Sequence, residues 1–224
     1  MNWVCSAGGP LIVASAEIAR LWRGGFGRQA TEAGRGPSGE SISDYARACG
    51  VDGYLGTLRV GPGGVLVLGD EPMRTAFVSK PDGGVLTRWM YAENEADVQR
   101  AVEEIPESVW EATPHNIEVG QRGILVFDAA YPGDELPPTE DGWAEALWIH
   151  IELPPGVYLV DTADYQPDGS TRLILHRLRL SARGFPRQDG GACVPDSIQV
   201  SSPGERSWQA CFDRVGLRRC ALFW

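Results

Sequence analysis

The sequence predicts an α+β fold: an antiparallel β-sheet with a few helices packed on it and a three-stranded meander towards the C-terminus. Three observations carry this. Short apolar or alternating runs are separated by tight Gly/Pro turns, and direct hairpins between neighbouring runs imply antiparallel pairing. One stretch has a clear helical period with recognisable start and stop signals. The composition, 43% hydrophobic and 22% charged over 224 residues, is that of a chain able to bury a core without disulfide or metal staples.

The elements follow in order. Trp3–Ser6 reads as a short strand, Gly8-Gly9-Pro10 as a turn and Leu11–Val13 as a second strand. Ser15 caps a helix through Trp22, with Ile18, Leu21 and Trp22 at helical spacing. Residues 24–40 hold six glycines and Pro37 with almost no large apolar group, which predicts a loop. Ser43 caps a second helix, Asp44 to Cys49. Tyr54–Val60 and Val65–Leu68 are strands around a Gly61–Gly64 turn. Arg74–Ser79 and Val85–Tyr91 flank the hairpin signal Pro81-Asp82-Gly83-Gly84. Asn94 then caps the clearest helix, with Asp97 three residues on and Val98, Ala101, Val102 and Ile105 on one face before Pro106. Ile124–Phe127 is a strand of buried type, and an acidic, Pro-containing loop covers 129–145. Leu147–Leu153, Val157–Tyr165 and Thr171–Leu180 make the expected meander, turning at Pro154-Pro155-Gly156 and Pro167-Asp168-Gly169. Residues 1–180 are expected to form one domain. Residues 181–224, with three of the five cysteines and little periodicity, read as a poorly structured tail.

Function classes can be narrowed. The net charge of −10 disfavours nucleic acid or anionic lipid as a partner. No run of 18 apolar residues exists, so no membrane helix is expected. The cysteines make no C-x-x-C, and reduced thiols point to the cytoplasm. Residues 1–16 end in Ala14-Ser15-Ala16 but lack a basic start and are broken by Gly8-Gly9-Pro10, which argues against a signal peptide. The glycine-rich turns match neither a dinucleotide fingerprint nor a phosphate loop, and no G-x-S-x-G is present. No cofactor and no catalytic residue is therefore expected. The enzyme alternative is a metal-dependent hydrolase: His150 and His176, placed on strands of one meander, would combine with Glu152 or Asp161. A small-ligand-binding domain is the other alternative.

The charge distribution is more informative than its total. Residues 93–145 hold 14 acidic and 2 basic residues, whereas the rest of the chain is close to neutral. Glu95 and Glu103 lie opposite the apolar stripe of their helix, and Asp134, Glu135 and Asp141 surround Trp143 in the loop. An acidic surface with an aromatic anchor suits a basic protein partner. Asp70 and Glu71, in Gly69-Asp70-Glu71-Pro72, are further candidates for that contact.

Several segments in succession are familiar. They are Trp3-Val4-x-Ser6-x-Gly8-Gly9-Pro10-Leu11-Ile12, Trp22-Arg23-Gly24, Asp44-Tyr45-x-x-Ala48-Cys49 and Asp52-x-Tyr54-Leu55-Gly56. Leu66-Val67-Leu68-Gly69-Asp70-Glu71-Pro72, Arg88-Trp89-x-Tyr91-Ala92, Leu153-Pro154-Pro155-Gly156-x-Tyr158 and His176-Arg177-Leu178 follow. Their order and spacing, from Trp3 to Arg179, resemble the immunity protein 21 family of bacterial polymorphic toxin systems. The resemblance implies a cytoplasmic antitoxin that binds and blocks a cognate toxin, and it carries no catalytic residues over to this chain. A nuclease toxin fits the acidic segment, because a nuclease has a basic substrate groove.

Overall fold

The computed structural model describes residues 1–6, 8–25, 42–69, 71–136 and 146–182. All lie within a unit spanning Met1–Phe185. The glycine-rich loop predicted after Gly25, most of the acidic loop and the tail lie outside the described residues.

Two antiparallel sheets make the molecule, so the α+β expectation holds. The first contains β1 (Trp3–Val4), β5 (Arg74–Lys80), β6 (Gly83–Tyr91), β11 (Arg172–Leu180), β10 (Gly156–Tyr165) and β7 (Glu111–Val119), in that order. The second contains β3 (Gly56–Val60), β4 (Gly63–Leu68), β2 (Leu11–Ser15), β8 (Ile124–Asp128) and β9 (Trp148–Ile151). The sheets pack face to face. Leu11, Val13, Leu66, Leu68 and Val126 of one meet Leu86, Tyr158, Val160 and Leu178 of the other in a buried cluster.

Helices pack on both outer faces as well. On the five-stranded sheet, α1 (Ala16–Ala19) and α2 (Asp44–Cys49) cover Ile12, Val65, Val67 and Phe127 together with Trp22 and Ala48. On the six-stranded sheet, α3 (Glu95–Glu104) sets Val98, Ala101 and Val102 over Trp3, Ala76, Val85, Leu173 and Leu175. This explains why β4 reads as an unbroken apolar run. Val65 and Val67 face the helices while Leu66 and Leu68 face the opposite sheet, so neither side meets water.

The predicted caps are in place. Ser15, Ser43 and Asn94 side chains accept from the backbone N–H groups of Ile18, Ala46 and Asp97 at 3.3, 3.1 and 3.1 Å. The first helix is shorter than predicted. It stops at Ala19, and the chain turns so that the Trp22 indole donates to the Ala129 carbonyl at 2.9 Å. Among the described residues no helix is long and apolar enough to cross a membrane.

The expected three-stranded meander is corrected. β10 and β11 form a hairpin in the six-stranded sheet, but β9 pairs with β8 in the other one. The cause is the connection Pro154-Pro155. Neither proline has an N–H to give to a ladder, so the chain crosses between sheets instead of folding back. Tyr158 fastens the crossing by donating its hydroxyl to the Pro154 carbonyl at 2.9 Å. The sheets also meet along their sides. At one, the Ala146 carbonyl accepts from the Cys5 N–H and the Ala146 N–H donates to the Trp3 carbonyl, forming a Val4–Ala146 bridge. At the other, Thr57 Oγ1 of β3 and His115 Nδ1 of β7 are 2.9 Å apart.

Candidate partner-binding surface

α3 presents its apolar stripe to the sheet and therefore turns Gln99, Glu103 and Glu104 to water. Pro106 ends the helix, Glu107–Val109 make a 3-10 turn, and Trp110 leads into β7. Next to this turn, β11 alternates His176 and Leu178 inward with Arg177 and Arg179 outward. The two arginines organise a charged group on the outer face. Arg177 donates to Glu107 at 2.6 and 2.8 Å and to Asp161 at 3.0 and 2.8 Å. Its guanidinium also lies 4.5 Å from the centre of the Trp110 ring. Arg179 donates to the same Asp161 at 2.6 and 3.1 Å. Burial of Asp161 would raise its pKa, but the bonds from Arg179 and Arg177 outweigh burial and hold it below the usual carboxylate range. Glu107 is lowered as well, chiefly by its bond from Arg177. Two cations and two anions thus compensate one another.

On α3, Asp97 is paired with Arg100, and at the opposite face of the sheet Asp164 is paired with Arg172. Glu95 is tied to the fold. It accepts from the Trp3 indole at 2.7 Å and from the Met1 ammonium at 3.2 Å. Several exposed carboxylates on and beside α3 and β7 have no such partner. No cation lies within 4 Å of Glu93, Glu103, Glu104, Glu111 or Glu118 among the described residues. Glu103 accepts only from Gln99, at 2.9 Å.

The sequence singled out eight residues, and the structure separates them. Glu95 and Glu103 sit on α3, over the six-stranded sheet. Asp134 and Glu135 are exposed near α1: Gly133 N–H bonds the Trp22 carbonyl at 3.0 Å, and Arg23 pairs with Asp134 at 3.1 Å. That is the outer face of the five-stranded sheet, so both sheets stand between the two groups. Glu71 is exposed on the crossover from β4 to β5, and its carbonyl accepts from Arg88 at 2.8 Å. Asp70, Asp141 and Trp143 lie outside the described residues. Glu93, Glu104, Glu111 and Glu118 were missed individually, although the segment charge count contained all four.

The proposed metal pair does not assemble. His150 is exposed on β9 with Nε2 2.7 Å from the Arg122 carbonyl, whereas His176 is fully buried on β11 in the other sheet. Among the described residues no cluster of His, Cys, Asp or Glu suits a metal ion.

The family model described as immunity protein 21 matches residues 2–171. The chain belongs to this family. No curated protein and no solved structure matches it. Immunity proteins are in general non-enzymatic and bind a cognate toxin, so a surface, not a cleft with reactive groups, is the site to seek. The match of this immunity protein ends just before β11, which supplies Arg177 and Arg179 to the outer face.

Proposed function

We propose that this immunity protein neutralises a cognate toxin of a polymorphic toxin system by stoichiometric occlusion, in the cytoplasm of the producing bacterium. It presents acidic surface to a basic partner. The observation that carries this reading is the set of uncompensated carboxylates Glu103 and Glu104 on α3 and Glu118 on β7, beside a group of charges that is internally neutral. Exposed like charges repel in the free protein, and a basic partner relieves that repulsion while steering the encounter. A nuclease toxin has such a surface in its substrate groove.

The test is titration of the purified chain with the toxin whose growth arrest it relieves. A one-to-one complex is expected. Reversing Glu103 to Lys should slow association and weaken its salt dependence. Reversing Asp134 and Glu135 tests the opposite face, and substitutions at Asp141 and Trp143, which lie outside the described residues, make a separate arm. Unchanged affinity in every arm would sink the acidic-segment assignment. Failure to form a stoichiometric complex would sink occlusion.

A further inference from the structure

Among the described residues, α3 covers the outer face of the six-stranded sheet at one end only. Beyond the helix, Leu159 on β10 points outward and is 42% exposed, with Val157 half-buried beside it. Their register partners on β7 are exposed: Asn116 opposite Leu159, and Glu118 opposite Val157. On its other flank Leu159 is opposite Arg179. This places an apolar centre in the middle of a strand, held by β11 along one side and by β7 on the other as far as Leu159, where the β7 register shifts. Its neighbours are equally fixed, because Arg177 and Arg179 are locked onto Asp161 and Glu107. The floor of the strip is therefore pinned by ion pairs and electrically balanced, whereas Glu118 on its β7 border is not compensated.

We infer that the strip centred on Leu159, with Val157, Asn116 and Glu118, is the docking centre for the toxin, which seats an apolar side chain on Leu159 and surrounds it with lysines or arginines. The inference rests on the function proposed above and locates its contact. Rigid apolar centres with polar borders are where binding energy concentrates in protein interfaces. Charge selects the occupant. A second copy of the chain would set Glu118 against like charge, whereas a basic partner would meet it with opposite charge.

The experiment uses the full chain and the toxin whose growth arrest it relieves. Leu159→Asp should weaken the complex by at least about tenfold. Its melting temperature should stay that of the unaltered chain, because the side chain already faces water. Glu118→Lys should slow association and flatten its salt dependence. In Leu159→Cys, maleimide labelling followed by peptide mass analysis should be fast in the free chain and suppressed in the complex. Wild-type affinity for Leu159→Asp, or undiminished labelling of the introduced thiol in the complex, would overturn the inference. Slow labelling in the free chain would overturn it too, by showing the strip already covered by residues 183–224 or by a second copy. If the unaltered chain binds the toxin and these variants behave as wild type, the site fails while the function stands. If the unaltered chain itself binds no toxin, the function reading fails and takes the site with it.

Discussion

His176 is the side chain whose chemistry departs furthest from that of a free residue. Burial, with the Arg88 guanidinium and His115 nearby, pushes its pKa down to about 3. It is kept neutral, its Nδ1 3.1 Å from Thr162 Oγ1. The unfolded chain takes up a proton below about pH 6.5 and the folded chain does not until much lower. Stability contributed by this difference is complete above about pH 6.5 and falls as pH drops towards 3, by up to about 1.4 kcal/mol per pH unit. Urea unfolding of the wild type should show this slope, and His176→Leu should flatten it. Asp161 acts lower on the scale. Its folded pKa is depressed, so its contribution is present above its unfolded value of about 3.9 and disappears as pH falls through the folded one. Asp161→Asn leaves Arg177 and Arg179 facing one another with a single remaining anion, Glu107. A loss of about 3 kcal/mol in unfolding free energy is expected. A loss under about 0.5 kcal/mol, the range of ordinary surface changes, would contradict the role assigned to this group.

At the scale of elements, what could be read in the sequence depended on how local the cause was. α3 was legible because its cap and apolar stripe lie within a dozen residues: Asn94, Asp97, Val98, Ala101 and Val102. Asn94→Ala should cost about 1 kcal/mol, seen as a lowered unfolding midpoint, by leaving the Asp97 N–H without its acceptor. β7 was not legible. Pro114 interrupts it and only Ile117 and Val119 are buried, so it carries the exposed, charged look of a sheet edge. What makes it a strand is β10, to which it is paired in two stretches with an irregularity between them. The partner of β9 was equally hidden, since two prolines decided it and hairpin spacing did not. Gly83 shows the same dependence on distant chain. Its φ is +146°, and a Cβ there would collide with the Leu178 carbonyl of β11. Gly83→Ala should therefore destabilise by about 1–3 kcal/mol and disturb the β6–β11 pairing, visible as faster amide exchange there.

For the molecule as a whole, charge placement matters more than total charge. The concentration of acid in residues 93–145 was plain from the sequence. The structure distributes it over two outer faces, α3 and β7 on one and Asp134 and Glu135 on the other. Association with a basic toxin should accordingly slow as salt rises from about 0.01 to 0.15 M, where the screening length shrinks from about 30 to 8 Å. An association rate indifferent to salt would argue against electrostatic steering at either face. Composition, caps and alternation by themselves determined the α+β class, most strand positions, the helix bearing Glu95 and Glu103, and a resemblance that family membership confirms. These are properties of neighbouring residues, and neighbouring residues record them. Which sheet β9 joins, that β7 is a strand, that His150 and His176 stand apart, and which carboxylates are neutralised were decided only by tertiary structure. Each depends on groups brought together from far along the chain, such as Arg177 with Glu107, and no local pattern registers such a meeting.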